Sequence, residues 1–169
     1  MDSDLTLLLL GSTIVLSGLY VLIAYNRFIT QRNLIEESWK QIDVELERRF
    51  DLIPNLVETV KGYAAHERQV VENVTAARGA ALARAQTGAG PAARQDTENA
   101  LTRAVGGLFA VTESYPALRA SENFAELQRE LANTEERIAA GRRFYNGNVR
   151  AFNTRVESVP SNIVAGLFS

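Results

Sequence analysis

The chain has 169 residues, 46% of them hydrophobic, a formal net charge of −2, four prolines and no cysteine. That length allows one domain of ordinary size plus an anchor, and the lack of cysteine excludes disulfides, thiolate metal sites and thiol nucleophiles. Asp2 and Asp4 precede the first apolar stretch, and the rest of the chain carries equal numbers of acids and bases. Without a dense basic run there is no electrostatic footprint for nucleic acid.

Residues 5–25 read LTLLLLGSTIVLSGLYVLIAY, with no charge in 21 positions. As a helix this run is about 30 Å long, the thickness of a bilayer's hydrocarbon core. Tyr20 and Tyr25 lie near one end, where an aromatic belt would sit. A cleaved signal would have basic rather than acidic residues in front, a shorter apolar region and an A-x-A site, and Leu22-Ile23-Ala24 is a poor imitation of that site. Arg27 and Arg32 follow the run, so the positive-inside rule places the N-terminus outside and the larger part in the cytoplasm. Gly11, Ser17 and Gly18 put small residues along this helix without a strict G-x-x-x-G, so self-association through it is not specified.

Beyond the anchor, Ile35, Trp39, Ile42, Leu46 and Ile53 recur at helical spacing with charged residues between them. No Gly or Pro separates Tyr25 from Ile35, so the anchor helix is expected to continue without a break. Pro54 predicts a sharp reversal or kink at residues 51–54, since proline disfavours helix in the residue before it and suits a first turn. The charged Arg48, Arg49 and Asp51 read as pinning that reversal. A second helix is then expected from Pro54 to about Gln86, with Leu56, Val57, Val60, Tyr63, Ala64, Val70, Val71, Val74, Ala77 and Ala81 on its apolar face.

Thr87-Gly88-Ala89-Gly90-Pro91 is a loop by composition. A third helix over about residues 95–114 presents Leu101, Val105, Leu108 and Val111, and Tyr115-Pro116 ends it. The clearest periodicity runs through Phe124, Leu127, Leu131, Thr134, Ile138, Gly141, Tyr145, Asn148, Phe152, Val156 and Val159. It is a coiled-coil-like 3.5-residue repeat over about five heptads, with Ser121 as N-cap and Pro160 as stop. A helix of that extent, roughly 55 Å long, suits a bundle of long antiparallel helices. The fold expected is therefore all-α, a transmembrane helix followed by an antiparallel up-and-down four-helix bundle. Its parts are an anchor at 1–25, the helical domain at 26–160 and an apolar tail at 161–169, free to lie on the bundle, on lipid or on a neighbouring molecule.

Catalytic patterns are missing. His66 is the only histidine and reads as a helix-surface residue beside Glu67; no H-E-x-x-H, EF-hand loop, P-loop or G-x-S-x-G occurs. Glu-x-x-His pairs of the di-iron type need more than one histidine. The reading is a non-enzyme with no cofactor and no metal. Polar residues recur on the last long helix, and Arg142, Tyr145, Asn146 and Asn153 form a candidate partner-contact stripe. The simpler reading has Tyr145 packing with its hydroxyl at the bundle edge and the asparagines bonding locally or to the facing helix.

Three stretches of the chain resemble the bacterial LemA family. The first is Glu37-Ser38-Trp39-Lys40-Gln41-Ile42-Asp43-Val44 with Glu45-Leu46-Glu47-Arg48-Arg49, and the second, most specific, runs from Asp51-Leu52-Ile53-Pro54-Asn55 to Gly62-Tyr63 with His66-Glu67. The third comprises Thr134-Glu135, Ile138-Ala139, Arg142, Tyr145-Asn146, Val149, Phe152-Asn153 and Pro160-Ser161-Asn162. The resemblance implies a cytoplasmic four-helix bundle behind one transmembrane helix in the bacterial inner membrane, without enzymatic activity or cofactor. It also implies a link to membrane organisation, including magnetosome formation. The function expected is a scaffold that self-associates or docks partners to organise the membrane; the alternative is a signalling or adaptor module for another membrane protein. The partners expected are the lipid bilayer, further copies of the chain and a membrane or cytoplasmic protein, with no nucleic acid.

Overall fold

The computed structural model of the chain describes residues 2–168, so Met1 and Ser169, the ends of the expected anchor and tail, lie outside the described residues. Those residues are all-helical, with no strand among them. The helices are α1 (Asp2–Tyr63), α2 (Arg68–Gln86), α3 (Pro91–Thr112), the short α4 (Pro116–Arg119), α5 (Glu122–Glu157) and α6 (Ser161–Phe168). The chain divides into two compact units, a central one over Gln41–Ala140 and a terminal one combining Met1–Lys40 with Gly141–Ser169.

The expected reversal at Pro54 does not occur. Pro54 lies inside α1, which runs on to Tyr63. A proline in a helix interior has no N–H to give the carbonyl four residues earlier, here that of Phe50. Arg78 on α2 supplies the missing donor: its Nε lies 2.6 Å from the Phe50 carbonyl oxygen. The chain turns instead at residues 64–67. The Ala64 N–H still reaches the Val60 carbonyl at 2.8 Å and the Glu67 N–H closes onto the Ala64 carbonyl at 3.0 Å. The second helix is correspondingly shorter than expected, and Tyr63 is exposed rather than part of the apolar face.

The other boundaries follow local chemistry. The α2–α3 loop is tight, with Gly88 at φ 68°, a left-handed conformation that costs glycine little. Pro91 and Pro116 open α3 and α4, where a missing N–H is not needed. At the start of α5, Ser121 Oγ accepts from the Phe124 N–H at 3.5 Å, a long version of the expected cap.

In the central unit, α1, α2, α3 and α5 bury one core. Its buried apolar residues include Ile42, Leu46, Ile53, Leu56 and Val60 of α1, Val71, Val74 and Ala81 of α2, Leu101, Val105 and Leu108 of α3, and Phe124, Leu127, Leu131 and Ile138 of α5. Cross-links between α1 and α5 pair Glu45 with Arg137, Arg48 with Glu130 and Thr59 with Asn123. The α5 partner moves backwards as α1 advances, so these helices run antiparallel. Asp43 pairs with Arg94, and Arg49 with Glu98, so α3 runs with α1. Phe109 and Phe124 meet edge to face across α3 and α5, with ring centroids 6.1 Å apart.

The terminal unit is built differently. Leu5 to Ile23 are almost wholly exposed along the first part of α1, where Leu8 keeps 72% of its surface. This stretch is long and apolar enough to cross a membrane. Further along, Phe28 meets Phe152 with centroids 6.0 Å apart, and Trp39 meets Tyr145 at 5.9 Å. These pairs again run in opposite directions on α1 and α5.

Candidate functional site

Polar chemistry in this protein gathers in two places, one in each unit. In the central unit Arg49 is 1% exposed, and its α-helical position places it among the core residues Leu46, Phe50 and Ile53. One terminal nitrogen lies 2.9 Å from Glu135 Oε1 on α5. The other donates to the Glu98 backbone carbonyl at 3.1 Å and lies 3.6 Å from the Glu98 carboxylate on α3. Glu98 is itself 2% exposed. One guanidinium thus ties α1, α3 and α5 together, with its five fixed donors suited to several acceptors at once. A charge in a core is costly unless paired, and an arrangement of this kind selects one helix register.

The pattern on α3 explains why sequence reading missed it. Arg94, Glu98, Leu101, Val105, Leu108 and Thr112 are its buried residues, and they follow one heptad stripe. Counting only apolar members hides the first two. Similarly, Arg49 was expected to pin a surface reversal, whereas it points into the core and Arg48 alone pairs at the periphery, with Glu130. Extending the stripe through polar residues would have exposed both.

In the terminal unit the expected contact stripe divides into two sets. Tyr145 is half-buried against Trp39. One turn on, Asn148 Nδ2 donates to Ser38 Oγ at 2.7 Å, and Ser38 is 2% exposed. Arg142 is half-buried, while Asn146 and Asn153 are exposed. These two are seven residues apart, so they lie on one line of the helix surface about 10 Å apart. Asn148, a member of the heptad stripe from Phe124 to Val159, thus bonds to the facing helix α1, as the simpler reading has the asparagines do.

Near the end of the apolar run, the terminal unit also carries a cleft of about 360 Å³. Tyr25, Phe28, Ile29 and Arg32 of α1, Phe152 and Val156 of α5, and Ala165 of α6 are among its lining residues. Its walls are apolar and aromatic, so it can hold or cover hydrocarbon. His66 sits exposed in the turn between α1 and α2. Among the described residues no group of three or more His, Asp or Glu side chains is placed to hold a metal ion.

Titration is perturbed at surface pairs. Tyr115 donates to Glu67 Oε1 at 3.0 Å, and that bond holds the phenol above its ordinary range. Lys40 and Glu36, four residues apart and 2.7 Å from each other, shift in opposite directions: the shared hydrogen bond lowers Glu36 and raises Lys40.

A long helix with an exposed apolar first third, joined to helices that share a heptad core, defines a class of membrane-associated helical proteins. Residues 38–169 match the profile of the LemA family, and the chain belongs to that family. It is similar to two proteins of Paramagnetospirillum magneticum, magnetosome protein MamQ 2 and magnetosome protein MamQ 1, each 26% identical over 167 residues. A magnetosome protein MamQ of Magnetospirillum gryphiswaldense is 24% identical over 168 residues. Each match covers 86% of this chain and 61% of the relative, so the chain spans about three fifths of the length of these relatives.

Proposed function

We propose that this protein is a non-enzymatic, single-pass membrane scaffold, with residues 1–25 as anchor, residues 26–160 as a helical domain in the bacterial cytoplasm, and 161–169 as a tail. The observation that carries this reading is the exposed run from Leu5 to Ile23, whose leucines, isoleucines and valines would be costly in water. Arg27 and Arg32 on its C-terminal side support an outside N-terminus. The order of α1–α5 and α1–α3 cross-links, with short connections, supports an up-and-down four-helix bundle.

In this reading the helical domain self-associates or docks a membrane or cytoplasmic protein, and Arg142, Tyr145, Asn146 and Asn153 contribute to the contact. The relatives' name, magnetosome protein, supports a role in organising a membrane compartment. The test is a pull-down from native membranes combined with an oligomer measurement on the same detergent extract. Oligomers or a reproducible partner are expected; a strictly monomeric chain with no partner in both settings would count against the scaffold. A second reading, an adaptor for another membrane protein, is favoured by the unbroken course of α1 from Asp2 to Tyr63, since a continuous helix can shift as one element.

A further inference from the structure

The last helix has no charged residue, and its two faces differ sharply. Val164 is 2% exposed, whereas Ile163 and Leu167, four residues apart and therefore on one side of the helix, keep 63% and 70% of their surface. Val159, just ahead of α6, is also exposed. An apolar face of this kind requires a cover, and the position of α6 indicates which one. Ala165 lines the same cleft as Tyr25, Phe28 and Ile29, the residues at and just beyond the end of the apolar run. From Tyr25 to Ile29 a helix rises about 6 Å. The headgroup layer beyond the hydrocarbon core is about 5–7 Å deep on each side. With the apolar run as anchor, the cleft that Ala165 shares with Tyr25, Phe28 and Ile29 lies at the depth of that layer.

Arginines of α1 and α5 share two clefts with the helix. Arg32 lines the same cleft as Ala165, and Arg150 and Arg155 line another with Ser161 at the start of α6. α6 carries no charge of its own, but guanidinium groups of α1 and α5 near an apolar helix face can meet lipid phosphates at the membrane interface.

We propose that α6 lies in the headgroup–acyl boundary of the bilayer, with Ile163 and Leu167 turned into lipid. This inference rests on the anchor reading above, and the experiment separates the two. The only tryptophan, Trp39, is replaced by Phe in the full chain, and Leu167→Trp, Leu10→Trp and Asn146→Trp are introduced singly. Each variant is reconstituted into phosphatidylcholine–phosphatidylglycerol vesicles carrying lipids brominated at shallow or deep acyl positions.

The Leu167→Trp variant is expected to show blue-shifted emission quenched more strongly by the shallow than by the deep bromolipid. The Leu10→Trp variant should be quenched by both, and the Asn146→Trp variant by neither. Quenching at position 10 with unquenched, water-like emission at position 167 would overturn the placement of α6 and leave the anchor standing. Blue-shifted but unquenched emission at 167 would assign the cover to protein, such as a second copy of the chain, and would also overturn it. Loss of quenching at position 10 would remove the anchor and this inference together.

Discussion

Arg78 Nε lies 2.6 Å from the carbonyl oxygen of Phe50, the acceptor that Pro54 leaves without its helical donor. A buried or half-buried carbonyl without a partner costs about 1–3 kcal/mol, so this one bond bears on whether α1 can pass through its proline. Arg78→Ala is expected to destabilise the chain by about that amount. In a Pro54→Ala background the backbone N–H regained at position 54 can bond the Phe50 carbonyl, and the same Arg78→Ala change should cost at most about 0.5 kcal/mol. A double-mutant cycle by denaturant unfolding measures the difference; additive effects would show that Arg78 does not serve the proline.

The Arg49 cluster gives a larger effect with a characteristic asymmetry. Arg49→Ala leaves the nearly fully buried Glu98 carboxylate without that cation and is expected to cost about 3–5 kcal/mol. Replacing Arg49 with Met and Glu98 with Leu together removes both charges at similar volume and should cost clearly less than Arg49→Ala. Equal losses in thermal unfolding would mean that packing volume, and not the charge pair, is what the core requires.

On α5 the candidate stripe should separate by substitution. Tyr145→Ala removes the ring against Trp39, so the emission of that sole tryptophan should shift to the red and stability should fall. Asn146→Ala and Asn153→Ala, both exposed, should change stability by less than about 0.5 kcal/mol. If these two variants also lose partner capture from native membranes, they mark the contact surface; retention of capture by both would take them out of it.

The pH dependence of stability should carry the mark of Tyr115. Its folded pKa is raised above the ordinary 10.0, chiefly by the hydrogen bond it donates to Glu67. The folded state therefore keeps the phenol proton where the unfolded chain has begun to lose it, so the contribution is fully present below pH 10 and is lost as pH rises through the folded pKa. Wild type and Tyr115→Phe should accordingly converge in stability as the pH is taken above 10, measured by urea midpoints. A gap that stays constant across this window would exclude the Glu67 bond as its origin.

Most of the helical layout was legible because apolar residues at spacings of three and four leave few alternatives. The stripe from Phe124 to Ile138 is buried as expected, and α5 covers Glu122–Glu157. The exposed apolar run of α1 was equally plain, since nothing charged interrupts it. Pro54 misled because its local preference is overridden by a distant residue, Arg78, that a local reading cannot see. The true turn at residues 64–67 has no proline and only Gly62 nearby to weaken the helix, so its signal is faint. Arg49, Arg94 and Glu98 escaped notice as core residues because only apolar members of the heptad stripes were counted; the partners that make their burial tolerable stand on other helices. The split of the α5 stripe between Tyr145 and the exposed asparagines likewise depends on where Trp39 and Ser38 stand.

A single-pass anchor with the helical domain in the cytoplasm can be tested by cysteine accessibility, which the cysteine-free sequence makes clean. Ser3→Cys and Ser114→Cys are introduced singly into the full chain and exposed to a membrane-impermeant maleimide on bacterial spheroplasts. Position 3 should be labelled in intact spheroplasts and position 114 only after the membrane is opened. Labelling of position 114 in intact spheroplasts, or release of the chain from membranes by alkaline carbonate, would contradict this topology.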